Sequence, residues 1–142
     1  MIEEVPLDDI LDLRWRVLRP GQPRDSAMFA EDRRPGSFHL AYRDEAGDVV
    51  SCVTFIPQDL DGQPAWRFRG MATDEAQRGR GLGSEVLAAG LAGVAARGGG
   101  LVWCNARVSA LEFYRRHGFA QRGEIFDIPN IGPHVVLTRH VD

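Results

Sequence analysis

The strongest chemical signal in the chain is a glycine-rich turn between a strand-like run and a long apolar run. Gly79, Gly81 and Gly83 alternate over five positions, and Ser84 follows them. Glycines let successive backbone N–H groups turn toward one point, and the N-terminus of a helix adds its positive end. The spacing therefore predicts a cradle for a diphosphate, with a glycine-rich strand–helix connection that binds nothing as the alternative.

Two common nucleotide sites are excluded by the same residues. All 17 basic residues are Arg and none is Lys, whereas a Walker-type loop needs a Lys after its second glycine. Schiff-base chemistry on a Lys is excluded for the same reason. A Rossmann fingerprint would place its third glycine at Ser84 and an acidic residue about 20 positions later, where this chain has Cys104 and Asn105.

The cysteines give a weaker signal. Cys52 and Cys104 lie inside apolar, strand-like runs and have no Cys or His at metal-ligand spacing. We therefore expect no metal site and interpret both cysteines as reduced core residues. A catalytic thiol, the alternative, would need an electropositive and partly exposed setting.

Length and charge restrict the classes of protein further. A chain of 142 residues fits one domain, expected to cover residues 1–142. The net charge is −3 and at most two Arg are adjacent, so no nucleic-acid partner is expected. No apolar run approaches the roughly 18–20 residues that cross a bilayer, and the acidic N-terminus is unlike a signal peptide. These features predict a cytoplasmic protein with no membrane partner.

Helices and strands must position the glycine-rich turn. Helical spacing is found over residues 6–18, 25–31, 82–96 and 109–117. Strand-like runs cover residues 38–43, 49–56, 66–73, 101–105, 121–128 and 134–140. Turn residues separate the first three strands, which indicates an antiparallel meander. Ser109 and Glu112 form a capping-box pattern for the last helix. Because Gly90 and Gly93 lie in the very apolar run 82–96, we expect that helix to be closely packed.

Two motifs resemble the GCN5-related N-acetyltransferase (GNAT) superfamily. Residues 78–83, Arg-Gly-Arg-Gly-Leu-Gly, match the family signature Arg/Gln-x-x-Gly-x-Gly/Ala that follows its fourth strand. Downstream, Asn105, Ala110, the pair Phe113-Tyr114 and the pair Gly118-Phe119 match the family's order of Asn, Ala, Tyr and Gly-Phe. The resemblance implies a mixed α/β fold. Its sheet would be mostly antiparallel, with about six to seven strands, a splay between the fourth and fifth strands, and about four flanking helices.

The resemblance also implies acetyl-CoA as co-substrate and gives roles to particular residues. The coenzyme pyrophosphate would be bound by backbone N–H groups of Arg78, Gly79, Arg80, Gly81, Leu82, Gly83 and Ser84. The strand end formed by Met71, Ala72 and Thr73 would pair with the pantetheine arm. The Met71 N–H would hold the thioester carbonyl as an oxyanion hole. Asn105 would contact the coenzyme at the splay, and Tyr114 would be the general acid that protonates the leaving thiolate.

Alternatives remain open for several of these residues. Tyr114 has the spacing of a core aromatic, and the Asn105 side chain could cap the turn before Ser109. Where many relatives carry a Glu, residues 66–69 contain no carboxylate, so the general base is open. The candidates are Glu75, His39, Asp32 and His134, and the last could simply cap a turn.

The predicted activity is therefore N-acetyl transfer from acetyl-CoA to a primary amine, by direct transfer in a ternary complex. The acceptor would be a small molecule or a peptide amine. Arg67 and Arg69 lie on one strand face beside the expected acyl site, where they attract an acidic group on the acceptor or are simply solvated. A non-catalytic acyl-CoA-binding sensor and a structural protein without CoA affinity are the alternatives. Edge strands at the C-terminus leave a homodimer open.

Overall fold

One mixed sheet of seven strands organises the computed structural model, which describes residues 1–142. In chain order the strands are β1 (Ile2–Val5), β2 (Phe38–Arg43), β3 (Val49–Pro57), β4 (Ala65–Thr73), β5 (Gly100–Arg107), β6 (Ala120–Ile128) and β7 (Gly132–Val141). Across the sheet the order is β1-β2-β3-β4-β5-β7-β6. Every neighbouring pair is antiparallel except β4 and β5. The predicted mixed, mostly antiparallel sheet is confirmed.

Three α-helices flank the sheet: α1 (Leu11–Leu18), α2 (Leu82–Ala96) and α3 (Leu111–Arg116). Short 3₁₀ turns cover Leu7–Asp9, Arg24–Ala27, Glu75–Gln77 and Val108–Ala110. The predicted helix over residues 25–31 is one of these turns, because the chain is extended at Met28. The predicted helix over residues 6–18 likewise begins as a 3₁₀ turn, in which the Ile10 N–H donates to the Leu7 carbonyl at 3.1 Å.

Strand β1 was not predicted. It pairs antiparallel with β2 from Ile2 opposite Tyr42 to Val5 opposite His39. Only Val5 of its four residues is buried, so the run is too short and too polar to show strand periodicity. Its conformation depends on pairing with β2, a tertiary contact that local sequence does not encode.

The predicted capping box at the start of α3 is wrong. Ser109 lies inside the 3₁₀ turn Val108–Ala110, and Ala110 occupies the N-cap position without a side-chain hydrogen bond. Strand β5 continues to Arg107, two residues further than expected, and the tight turn then uses the residue that was expected to cap the helix.

Core residues pack on both faces of the sheet. The larger cluster lies between the sheet and α2, and the smaller one lies under α1. A Cβ at Gly90 would overlap the Phe55 ring, and one at Gly93 would come within 2.8 Å of Phe38 Cε2. The helix therefore packs closely against the sheet at these two glycines, as predicted. None of the helices has the length and apolar character needed to cross a bilayer.

Candidate active site

The site begins where β4 and β5 separate. The two strands pair in parallel over only three positions, from Ala65 opposite Leu101 to Arg67 opposite Trp103. Both strands continue for several residues beyond this point, so their backbones diverge and a gap opens in the sheet. This is the splay that the sequence predicted.

A β-bulge shapes the β4 side of the gap. Cys52 is opposite Ala72 and Thr54 is opposite Arg69, so two residues of β4 face the single residue between them on β3. Gly70 within the bulge has φ +68°, and a Cβ there would come 2.8 Å from Arg14 Nε. Glycine adopts this positive φ without strain, and its lack of a Cβ leaves room for the Arg14 side chain. A bulge leaves the extra residue outside the ladder, which puts Met71 at the rim of the gap.

A groove of about 510 Å³ fills the splay, and we call it the splay groove. Its lining comes from the end of α1, from β4 and β5, from α3, and from residues around the β6–β7 turn. Four of the predicted site residues line it: Met71, Arg78, Asn105 and Tyr114. Gly79 to Ser84 continue from Arg78 beyond the C-terminal end of β4.

The segment from Arg78 to Ser84, the glycine turn, presents a row of free donors after its first residue. The Arg78 N–H, also predicted to bind the pyrophosphate, instead donates to the Glu75 carbonyl at 3.4 Å. No backbone N–H from Gly79 to Ser84 has a hydrogen-bond partner in the protein, and the first helical bond of α2 runs from the Glu85 N–H to the Gly81 carbonyl. Gly81 is the N-cap, with φ 78° and no capping side chain. A Cβ at Gly79 or Gly81 would meet nothing within 4 Å. The turn therefore has both the donors and the open space that an oxyanion needs.

Tyr114 combines a core ring with a hydroxyl at the groove. Its ring packs against Phe68 and Phe119, with centroids 5.7 and 6.2 Å away. The hydroxyl donates to the Met71 sulfur over 3.8 Å, a weak bond. Burial raises the pKa of the phenol, so it stays protonated and able to donate a hydrogen bond at neutral pH.

Asn105 lies exposed on β5 and lines the groove. Its strand continues to Arg107, where the register with β7 ends opposite His134. The side chain does not cap the turn before Ser109, since neither that turn nor α3 has a side-chain cap. The capping alternative is wrong, and the amide faces the groove without a protein partner.

Two of the four candidate bases belong to a buried network beneath β4. Arg14, fully buried on α1, donates to Asp32 Oδ2 at 2.7 Å and to the Thr54 hydroxyl. Nδ1 of His39 lies 2.8 Å from the same hydroxyl, and burial lowers the pKa of His39. Neither Asp32 nor His39 lines the groove. Arg14 does not stand out in the sequence, because an Arg within an amphipathic helix is usually a solvated residue.

Of the other two candidates, only His134 lines the groove. Glu75 is exposed on the 3₁₀ turn that precedes the glycine turn. Nδ1 of His134 lies 2.8 Å from the Gly132 carbonyl. That contact favours the tautomer in which Nδ1 carries the proton and Nε2 accepts. His134 thus bonds its own turn, as one interpretation predicted, and keeps an acceptor nitrogen.

The groove is lined by positive charge. Its lining residues include five arginines and one histidine but no Asp or Glu, although the whole chain carries a net charge of −3. The arginines are Arg19, Arg67, Arg69, Arg78 and Arg107. The alternation of β4 therefore places Arg67 and Arg69 in the groove, as predicted, and they do not form a plain solvated face. An anion is stabilised in such a groove and a cation is repelled.

Both cysteines are free and buried, as predicted. Burial raises the pKa of the Cys52 thiol to about 11 and that of Cys104 to about 12. A thiol with such a pKa is almost entirely protonated at neutral pH, so it is a poor nucleophile. The catalytic-thiol alternative is not supported.

Comparison with known sequences identifies close relatives. The acetyltransferase (GNAT) domain family matches residues 34–121. The uncharacterized N-acetyltransferase YitI of Bacillus subtilis (strain 168) is 37% identical over 141 residues, which cover 97% of this chain and 94% of YitI.

Solved structures share the fold across the whole chain. An aminoglycoside 6'-N-acetyltransferase in complex with coenzyme A matches with a TM-score of 0.81 at 18% identity, covering 100% of this chain and 97% of the other. Escherichia coli ElaA matches with a TM-score of 0.80 at 19% identity, and the match covers 98% of this chain and 99% of ElaA. At these identities the structures establish the architecture, and the sequence relatives establish the family.

Proposed function

Because this chain belongs to the GNAT acetyltransferase family, we propose that it transfers the acetyl group of acetyl-CoA directly to a primary amine within a ternary complex. The observation that carries the proposal is the row of unpartnered N–H groups from Gly79 to Ser84 at the end of the splay groove. A diphosphate fits these donors, and a thioester arm fits the rim of the groove beside β4.

The coenzyme would lie along the glycine turn and the end of β4. Backbone groups of Met71, Ala72 and Thr73 would pair with the pantetheine arm, and Asn105 would contact it from β5. The bulge places Met71 beside the gap, where its N–H would donate to the thioester carbonyl. As the amine attacks, this oxygen gains negative charge, so a fixed donor stabilises the transition state; one such donor is typically worth ~3 kcal/mol.

Amine attack forms the C–N bond and a tetrahedral oxyanion, and its collapse breaks the C–S bond. An ordinary Cys thiol has a pKa of about 8.5 and an ordinary phenol one of about 10, so alkyl thiols of this kind are the stronger acids. Burial raises the pKa of Tyr114 further. Full proton transfer from Tyr114 to the thiolate is therefore unfavourable. Tyr114 would instead support departure by donating a hydrogen bond to the sulfur, which refines its predicted role as general acid.

The positive groove explains how the reaction proceeds without a carboxylate base. A primary ammonium has a pKa of about 10 in water, and nearby cations disfavour the charged form. Five arginines and no carboxylate line the groove, so the acceptor would bind as the neutral amine more readily than in water. His134 Nε2, the acceptor left by the Gly132 contact, would take the proton released on attack.

The test is an acetyl-transfer assay over a panel of primary amines, with thiol release and the mass of the acetylated amine as readouts. We expect thiol release to depend on the amine, with a matching acetylated product. Acetyl-CoA binding without turnover across the panel would favour the sensor alternative, for which the absence of a carboxylate base is the one supporting observation. Absence of acetyl-CoA binding would reject both functions.

A further inference from the structure

The arginines that line the splay groove fall into two groups on different faces of the sheet. Phe68 points toward α3, since its ring contacts Tyr114 and Phe119. Arg67 and Arg69 flank Phe68 in β4 and therefore point to the opposite face. There, the Arg69 guanidinium lies 4.0 Å from the Phe29 ring centroid. The side chains on this face are thus separate from those that pack under α3.

The glycine turn lies on the α2 side. A Cβ at Gly83 would contact Met71 Cε at 3.5 Å and Phe113 Cζ at 3.8 Å, so the start of α2 packs beside Met71 and α3. Phosphates bound at the glycine turn would lie near Arg78, which belongs to that turn. Arg67 and Arg69, on the other face of β4, are left for a different ligand.

Arg19, Arg67 and Arg69, which we call the arginine cluster, are poorly neutralised by the protein. Only Arg69 has a carboxylate partner, Glu31, at 3.4 Å. Arg67 lies 5.0 Å from the Trp103 ring centroid, and its buried Nε has no hydrogen-bond partner. Burial lowers the pKa of Arg67 and of Arg69, which reflects lost hydration of their charges. A partly dehydrated guanidinium group without a carboxylate partner, as in Arg67, is stabilised by an anionic ligand.

The cluster is also held in place before any ligand binds. The guanidinium carbon of Arg19 lies 5.6 Å from the Phe29 ring centroid, and that of Arg69 lies 4.0 Å from it. Cation–π contact with one ring keeps these two like charges in the same part of the groove. An oxyanion arriving there would not have to order both side chains itself, which lowers the entropic cost of binding.

From this arrangement we propose that the acceptor amine carries an anionic oxygen group, a carboxylate or a phosphate, which the arginine cluster binds while the amine faces the acyl group. This rests on the proposed function and adds the acceptor class to it. The same cluster repels polycations. We therefore expect polycationic aminoglycosides to be poor acceptors for this protein, although an aminoglycoside 6'-N-acetyltransferase shares the fold.

The test compares each acceptor with a partner that lacks only the anion. One arm uses amino acids and short peptides against their C-terminal amides, and the other uses aminoalkyl phosphates against the matching amino alcohols. We expect at least a tenfold higher kcat/KM for the anionic member of one arm, which also identifies the anion. An aminoglycoside is the cationic comparison and is expected to be the poorest acceptor.

Arg67→Gln provides the decisive variant, because Arg67 has no ion pair in the protein to lose. It should raise the KM for the anionic acceptor at least tenfold. The KM for the matching amide or alcohol and the affinity for acetyl-CoA should stay unchanged. Arg67→Lys should recover part of the loss. Arg122→Gln, which removes a partly exposed Arg on β6 paired with Asp61, should change neither KM nor acetyl-CoA affinity.

Three outcomes overturn parts of the account in distinguishable ways. Equal or better turnover of the uncharged partners or of the aminoglycoside rejects the anionic acceptor alone. Loss of acetyl-CoA affinity in Arg67→Gln would show that the arginine cluster binds the coenzyme, and this result also rejects the anionic acceptor. No transfer to any amine, with acetyl-CoA still bound, rejects the proposed function itself.

Discussion

At the scale of single residues, Tyr114 is the side chain whose chemistry depends most on its surroundings. The same burial that packs its ring against Phe68 raises the pKa of its hydroxyl. The phenol therefore keeps its proton throughout the range below pH 10, and it can donate to the leaving sulfur in the transition state. Its only bond inside the protein is the weak contact with the Met71 sulfur.

Tyr114→Phe should therefore lower kcat about a hundredfold, the low end for the loss of one hydrogen-bond donor to charge that develops in the transition state, and lower kcat/KM equally. Stability and acetyl-CoA affinity should be nearly unchanged, because the ring stays and only a weak bond is lost. In the unmodified protein, turnover should not fall between pH 7 and about pH 9.5 through phenol ionisation, since its pKa is raised above about 10. Steady-state kinetics over this range and thermal unfolding measure both effects.

Tyr42→Phe is the matched control, since Tyr42 is the chain's other tyrosine and lies on β2, outside the splay groove. It should leave turnover unchanged. If Tyr114→Phe instead unfolds more easily while turnover persists, the hydroxyl is structural and its catalytic role is wrong.

At the scale of elements, the position of α2 is set by glycines. Phe55 is fully buried and stacks on Phe38, with ring centroids 5.2 Å apart. Gly90 of α2 packs against it so closely that a methyl group would overlap the ring. Because the glycine turn is the N-terminus of the same helix, this contact also fixes where the free N–H groups point.

Gly90→Ala should reduce the free energy of unfolding by about 1–3 kcal/mol through overpacking, although alanine favours a helix by about 1 kcal/mol. Ala92→Gly changes an exposed position of the same helix, so it measures the difference in helix propensity without a steric clash. It should lower the free energy of unfolding by about 1 kcal/mol. Chemical denaturation of both variants provides the comparison. A Gly90→Ala protein more stable than the parent would show that α2 is not closely packed at this position.

Elements with strong local signals were predictable and those fixed by distant contacts were not. The run from Leu82 to Ala96 is nearly all apolar, and the helix has the predicted bounds. Residues 2–5 form a strand only by pairing with β2, and Ser109 loses its capping role because β5 extends to Arg107. The glycine turn was predictable because it depends on local backbone conformation.

The charge of the groove could not be predicted in the same way. Arg67 and Arg69 could be placed on one strand face, but Arg19 and Phe29 come from distant parts of the chain. Nothing in a run of residues shows that the end of α1 would bring the Arg19 guanidinium to the ring that Arg69 contacts. The buried Arg14–Asp32 pair escaped prediction for the same reason.

At the scale of the whole molecule, the chain is acidic and its groove is basic. The net charge is −3, yet the groove is lined by five arginines and one histidine and by no Asp or Glu. Low-dielectric walls strengthen the local field in such a cleft. An anionic coenzyme is therefore attracted to the groove although the chain as a whole is acidic. We propose that the free N–H groups of the glycine turn hold that coenzyme.

Calorimetric titration of acetyl-CoA into the Gly81→Val variant tests this claim most directly. Gly81 has φ 78° and open space beside it, so a valine strains the turn and fills the space above its donors. Gly62→Val is the matched control. Gly62 also has φ 78° in open space but precedes β4, roughly 25 Å from the glycine turn along the strand. We predict at least a tenfold weaker affinity for Gly81→Val, about 1.4 kcal/mol, with circular dichroism unchanged and normal affinity in Gly62→Val. Equal affinity in both variants would contradict the account.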